Sequence, residues 1–161
     1  MDNVFHKYLK IKQLGDEENE GIFLDPNDEI VIEEKIDGAN FRFTFIDDQL
    51  VFGSRNRVIE NEDEKNWKRC IKFIKDKVKN NKVKLQNYIF YGECCIKHSL
   101  QYDWDNMPIF LGFDIYDKTT GQFISNKNEL FDLLNLPTVP HIMTCLAGKI
   151  GTIDDSFVPD S

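Results

Sequence analysis

Long hydrophobic runs are missing from these 161 residues. No stretch approaches the roughly 20 apolar residues that cross a bilayer, and Met1 to Lys10 lacks the apolar core of a secretory signal. No membrane partner is expected, and a cytoplasmic or other intracellular location is. Cysteine is sparse too. Cys70, Cys94, Cys95 and Cys145 show no CxxC spacing, and the adjacent Cys94 and Cys95 would point to opposite faces of a strand, so reduced, buried thiols are expected. There is no GxSxG elbow, and His98 is adjacent to Ser99 rather than placed across a fold from it, which excludes a serine-hydrolase triad. No repeat, low-complexity segment or linker breaks the chain, whose length suits one domain, residues 1–161, with a real core.

Negative charge is in excess overall but unevenly spread. From Lys65 to Lys84 nine basic residues face a single acid, Asp76, a local charge of +8 within a chain whose total is −8. Such asymmetry suits a protein that meets a polyanion on one face, and a solvated helix face is the alternative. Lys68, Lys72 and Lys75 are the candidate contacts to a nucleic-acid backbone.

The periodicities point to hairpins mixed with helices. Ile30, Val31 and Ile32 read as a buried strand within Glu29 to Glu34. Phe41, Phe43 and Phe45 alternate with polar residues at the two-residue period of a half-buried strand, and Asp47-Asp48 turns the chain into Leu50 to Phe52. Asn61-Glu62-Asp63-Glu64 has the composition of a helix start, followed by Trp67, Cys70, Ile71, Ile74 and Val78 at helical spacing. Tyr88 to Tyr91, Ile109 to Tyr116 and Val139 to Met143 read as strands. Ser125 is placed to cap a short helix through Leu134, ended by Pro137. The fold class expected is α+β on antiparallel sheet.

Several polar residues interrupt this apolar pattern. In Glu34-Lys35-Ile36-Asp37-Gly38-Ala39-Asn40 a lysine ends a strand three residues before a glycine, where backbone can approach a phosphate without a Cβ in the way. A lysine amine has an unperturbed pKa of about 10.4, so as a nucleophile it depends on desolvation or neighbouring cations to lose its proton. Arg55 and Arg57, in Ser54-Arg55-Asn56-Arg57, could clamp a phosphate or a ribose edge, or be ordinary surface residues. Glu93, after Gly92, could accept a ribose hydroxyl or touch a metal. Phe113, one of 13 phenylalanines, reads from composition as core.

As an ordered set, Glu-Lys-x-x-Gly-x-Asn at 34–40, Ser-Arg at 54–55, Tyr-Gly-Glu at 91–93 and Phe-Asp-Ile-Tyr at 113–116 resemble the covalent nucleotidyltransferases. Within them the chain is most similar to the ATP-dependent RNA ligases of the phage and kinetoplastid-editing type. Lys97-His98-Ser99-Leu100-x-Tyr102 and the opening Phe5-x-Lys7-Tyr8 extend the likeness over nearly the whole chain. The resemblance implies a nucleotidyltransferase domain of mainly antiparallel sheets with flanking helices. It implies that Lys35 takes AMP from ATP with Mg²⁺ or Mn²⁺, passes it to a 5′-phosphate end, and that a 3′-hydroxyl then seals the RNA strand. Glu34 would line the adenine pocket, Asn40 orient phosphate, Arg55 contact AMP, Glu93 bind the ribose and Phe113 stack on adenine, reversing its reading as core.

Two departures qualify these expectations. Asp37 stands where the closest branch often has histidine and DNA ligases have aspartate, so DNA ligation is an alternative. The family's Glu-Gly-x-Val-x-Lys and Lys-x-Lys strands, which carry a metal-linked carboxylate and cations for the α-phosphate, have no counterpart after Phe113. An adenylation domain without its last strands, weakly active or inactive, is therefore expected. A non-catalytic nucleotide- or RNA-binding module is the other reading.

Overall fold

The computed structural model describes residues 5–13, 16–79, 85–96 and 102–152. Lys82, Lys84 and the Lys97-His98-Ser99-Leu100 string lie outside the described residues. The fold is α+β and antiparallel, and the chain divides into two compact units. One comprises Met1–Tyr8 with Ile36–Thr138, the other Leu9–Lys35 with Val139–Ser161.

The larger unit is built on a five-stranded sheet in the order β3-β2-β4-β5-β6. Its strands are β2 (Ala39–Ile46), β3 (Gln49–Ser54), β4 (Tyr88–Cys94), β5 (Phe110–Asp117) and β6 (Gln122–Phe123). Asp47 and Asp48 both take positive φ, 46° and 67°, which is what a two-residue hairpin turn between β2 and β3 demands. Along β2 every second side chain turns the same way. Phe41, Phe43 and Phe45 face the main core with Phe52, Phe90, Phe110 and Ile115. Two helices among the described residues cover that face. From α1 (Lys68–Val78) the buried residues are Cys70, Ile71, Ile74 and Val78, and Phe131 of α2 (Lys127–Leu133) meets Phe90 edge-on, ring centroids 5.8 Å apart. The Phe43 and Phe90 rings stack at 4.9 Å across β2 and β4.

The smaller unit centres on a two-stranded antiparallel ribbon of β1 (Glu29–Glu33) and β7 (His141–Leu146). Ala147 and Gly148 donate backbone hydrogen bonds to the carbonyls of Asp28 and Pro26, at 2.8 and 3.0 Å. No helix among the described residues is long and apolar enough to cross a membrane.

Four local expectations are corrected. Val31 is 57% exposed rather than buried, because two-residue alternation sends it to the side of the ribbon opposite Ile30 and Ile32. The acids at 61–64 precede α1 by a stretch of turns. Asp63 pairs with Lys68 at 2.8 Å and Glu64 with Arg57 at 2.6 Å, so their side chains serve ion pairs. The helix begins at Lys68, with Trp67 and not an acid in the cap position. Asn126, not Ser125, stands at the cap position of α2. The last strand begins at His141, since Pro140 has no N–H to give a ladder; its carbonyl accepts from the Glu34 N–H at 2.9 Å.

Candidate functional site

Facing away from the helices, the other side of the five-stranded sheet collects polar groups in transverse rows. The pairing registers define them. Asn40 of β2 is opposite Glu93 of β4, and Glu93 is opposite Leu111 of β5. Phe41 pairs with Ser54, where β3 ends and the chain turns back, the Ser54 N–H donating to the Arg57 carbonyl at 2.9 Å. The next row holds Gly53, Arg42, Tyr91 and Asp114. Cross-strand partners share a face and stand close enough to act on one ligand. Two of the residues singled out in the sequence, Asn40 and Glu93, thus fall on one line.

Gly38 fits beside that line because it has no side chain. A Cβ there would lie 2.8 Å from the Cys94 carbonyl oxygen and 3.3 Å from Glu93 Oε2. The peptide after Asp37 therefore approaches β4 directly, and the Asp37 N–H donates to the Tyr102 hydroxyl oxygen at 3.2 Å. Asn40 is buried, and its Oδ1 has no hydrogen-bond partner. A buried amide oxygen without a donor is uncommon and suits a site that meets a polar ligand. Arg55 is exposed at the end of β3.

Phe113 is placed by a bulge. Tyr91 pairs with Asp114 and Gly92 with Gly112, leaving Phe113 as the extra residue in β5. Bulges re-aim side chains next to functional sites. Phe113 is half-buried and joins the second apolar cluster, with Phe5, Tyr8, Ile89, Tyr91 and Tyr116. Tyr8 meets its ring edge-on at 4.8 Å and donates to Asp114 Oδ2 at 2.9 Å. The N-terminal segment thus lies across this face.

Glu34 and Lys35 belong to the smaller unit. Glu34 is half-buried, and Lys35 is exposed as the unit's last residue before Ile36 opens the main span of the larger one.

The lysines of α1 stand apart from the polar face. The helix packs on the opposite, phenylalanine side of the sheet. Lys68, Lys72 and Lys75 are exposed, but Lys68 pairs with Asp63 and Lys75 with Glu62. Ion pairing with acids upstream of the helix offsets part of the positive charge that the sequence displayed.

Sequence reasoning missed Arg42. It is buried on the polar face beside Asn40, and burial pushes its guanidinium below its ordinary pKa, partly offset by Tyr91. The Tyr91 phenol is pushed up, chiefly by burial, and donates to the His6 carbonyl at 2.8 Å. The signal was present: Arg42 shares the period of Asn40 and Thr44 within Phe41-Arg42-Phe43.

The antiparallel sheet with its flanking helices is the fold of a nucleotidyltransferase domain. The chain belongs to the RNA ligase family, whose sequence profile matches residues 28–154. Among solved structures it is similar to a Naegleria gruberi RNA ligase with pyrophosphate, at 20% identity and a TM-score of 0.65 over 78% of this chain and 40% of that one. An archaeal ATP-dependent RNA ligase aligns at 17% identity and a TM-score of 0.66, over 91% of this chain and 39% of that one. A mutant of the Naegleria enzyme with ATP and Mn aligns at 19% and 0.62, over 75% and 38%. The chain therefore spans about two-fifths of the length of these ligases. No curated protein matches the sequence.

Proposed function

We propose that residues 1–161 form part of a nucleotidyltransferase domain whose parent activity is ATP-dependent RNA ligation through an adenylated Lys35. The observation that carries this reading is the cross-strand pairing of Asn40 with Glu93 on one sheet face, directly after Glu34-Lys35-x-x-Gly38 in the sequence. Family membership over residues 28–154 supports it.

In the first step the Lys35 Nζ lone pair forms a bond to the α-phosphorus of ATP. The bond from that phosphorus to the bridging oxygen breaks, pyrophosphate leaves and the amine releases its proton. A 5′-phosphate oxygen next displaces Lys35 to give a 5′-adenylated strand. A 3′-hydroxyl oxygen then displaces AMP and closes the phosphodiester. Asn40, with its orphaned Oδ1 beside the Glu93 row, orients the nucleotide, Arg55 supplies a guanidinium to its phosphate, and Glu93 accepts from the ribose hydroxyls. Phe113, re-aimed by its bulge, offers a ring for adenine, and Glu34 lines the pocket ahead of the nucleophile.

Among the described residues no three His, Cys, Asp or Glu side chains gather into a metal cage. The Mg²⁺ or Mn²⁺ that the reaction calls for would be drawn to hard oxygen donors such as the Glu93 carboxylate. Such an ion would neutralise charge on the phosphate oxygens. Lys68, Lys72 and Lys75 are retained as a strand-backbone contact on the far side of the sheet.

Intact mass measurement after incubation with ATP and Mg²⁺ or Mn²⁺ tests the reading. One AMP added to the wild-type chain and none to Lys35→Ala is the expected result. A wild-type adduct that survives in Lys35→Ala overturns the assignment of the nucleophile.

A further inference from the structure

One row along the polar face from Asn40 and Glu93 lies a buried charge that the proposed ligation steps do not use. Arg42 is 2% exposed, and its Nε and Nη1 have no hydrogen-bond partner. The guanidinium is nevertheless held in place. Its Cζ lies 4.4 Å from the centre of the Phe5 ring. Across the register Arg42 faces Gly53, where a Cβ would come within 2.8 Å of Arg42 Nε and 2.9 Å of the Phe5 ring. Gly53 is what leaves room for the cation between a strand and an aromatic ring.

Buried donors in proteins are almost always satisfied, and those that are not call for an acceptor. Arg42 lines a cleft of about 610 Å³ with Phe5, Lys7, Val51, Val58 and Arg57. Two acids, Asp47 and Glu60, also stand on its wall. Arg57 is already committed to Glu64 through two bonds of 3.0 and 2.6 Å. Arg42 and Lys7 are thus the cations left to meet an anion there. The valines and Phe5 provide an apolar wall of the kind a nucleoside packs against.

We propose that this cleft binds a phosphate group carried by a nucleotide, seated on Arg42 with Lys7 beside it. A phosphate offers oxygens in several directions and can satisfy both orphaned donors of Arg42 while meeting the Lys7 ammonium. The site stands independently of the Lys35 chemistry. Its phosphate could belong to the end of a nucleic-acid strand or to a nucleoside triphosphate.

The test reads Arg42 directly. The chain has four arginines, and the Nε–Hε signal lost in Arg42→Lys identifies Arg42 in a ¹⁵N-labelled spectrum. The Lys35→Ala chain, which removes the proposed adduct, is titrated with ATP, a 5′-phosphorylated RNA oligonucleotide and the same oligonucleotide with a 5′-hydroxyl. The expected result is a saturable shift of the Arg42 signal and at least a tenfold weaker affinity in Arg42→Met. Gly53→Ala, which crowds Nε, should weaken binding in the same direction. Preference for the 5′-phosphate over the 5′-hydroxyl supports a strand end, and a response to ATP alone supports the triphosphate. An Arg42 signal unmoved by all three ligands overturns the proposal, as does unchanged affinity in a folded Arg42→Met. The Lys35 adduct assay on the wild-type chain reads the ligase proposal separately, so either can fail alone.

Discussion

The two faces of the five-stranded sheet come from the same residues taken alternately, yet they obey opposite rules. On one, Phe41, Phe43, Phe90, Phe110 and Ile115 pack to complete exclusion of water beneath the described helices. On the other, Asn40 and Arg42 are equally buried but keep polar atoms without partners. The first arrangement maximises stability. The second gives some of it up, because unsatisfied buried donors and acceptors are costly. Apolar packing and unsatisfied polar groups are thus separated by one residue of register.

Removing an aromatic ring from the helix-covered face should give the largest effect. Phe43→Ala or Phe90→Ala breaks the stacked pair and should cost about 3–5 kcal/mol in urea unfolding. A loss under about 1 kcal/mol would mean that this face is not the one that holds the fold.

Raising the pH reaches both faces at once. Burial holds the Cys70 thiol well above its ordinary value, raises Cys95 from 9.0 to about 12, and raises Tyr91 as well. An unfolded thiol begins to lose its proton near pH 9, while folded Cys95 keeps it until about 12. The folded state therefore binds more protons in that window, and stability should fall as the pH rises through it. Unfolding curves at pH 7, 9 and 10.5 check the sign. Tyr91→Phe should flatten the fall above pH 10 by removing the contribution of the polar face.

Arg42→Met sharpens the comparison from the other side. Replacing a buried charge by an apolar group of similar length should leave stability unchanged or raise it by about 1 kcal/mol or more. A marked loss would show that Arg42 serves the fold rather than a ligand.

The smallest effect is expected from Lys68→Gln, Lys72→Gln and Lys75→Gln together. The ion pairs of Lys68 and Lys75 are exposed, and such pairs contribute little to stability. Stability should barely move, and the Lys35 adduct should form as before. If these lysines touch a strand, RNA affinity should fall and lose part of its salt dependence. Unchanged RNA affinity would leave them as a solvated helix face.

Much of this was legible in the sequence where local chemistry decides. The phenylalanine alternation of β2, the Asp47-Asp48 turn and the apolar stripe of α1 follow from periodicity and backbone preference, and each is found in the fold. Asn61–Glu64 has the composition of a helix start, but acids that suit a cap are also free to pair with cations. Lys75, Lys68 and Arg57 pair with Glu62, Asp63 and Glu64, and the helix starts at Lys68. Phe113 was read in two ways, as core from composition and as a platform from resemblance. The bulge at Tyr91/Gly92 gives it a half-buried place in the second apolar cluster, apart from the main phenylalanine core.

By itself the sequence determined which side chains share a face, since the two-residue period is a local property of extended backbone. It also set the order of the chemical strings beginning at Lys35. Only the tertiary structure decided which faces became dry and which residues became neighbours across strands. Asn40 meets Glu93, and Arg42 lies between Gly53 and Phe5, through pairing and packing of segments far apart in the chain. Register and burial are cooperative properties of the whole sheet, and no local stretch encodes them.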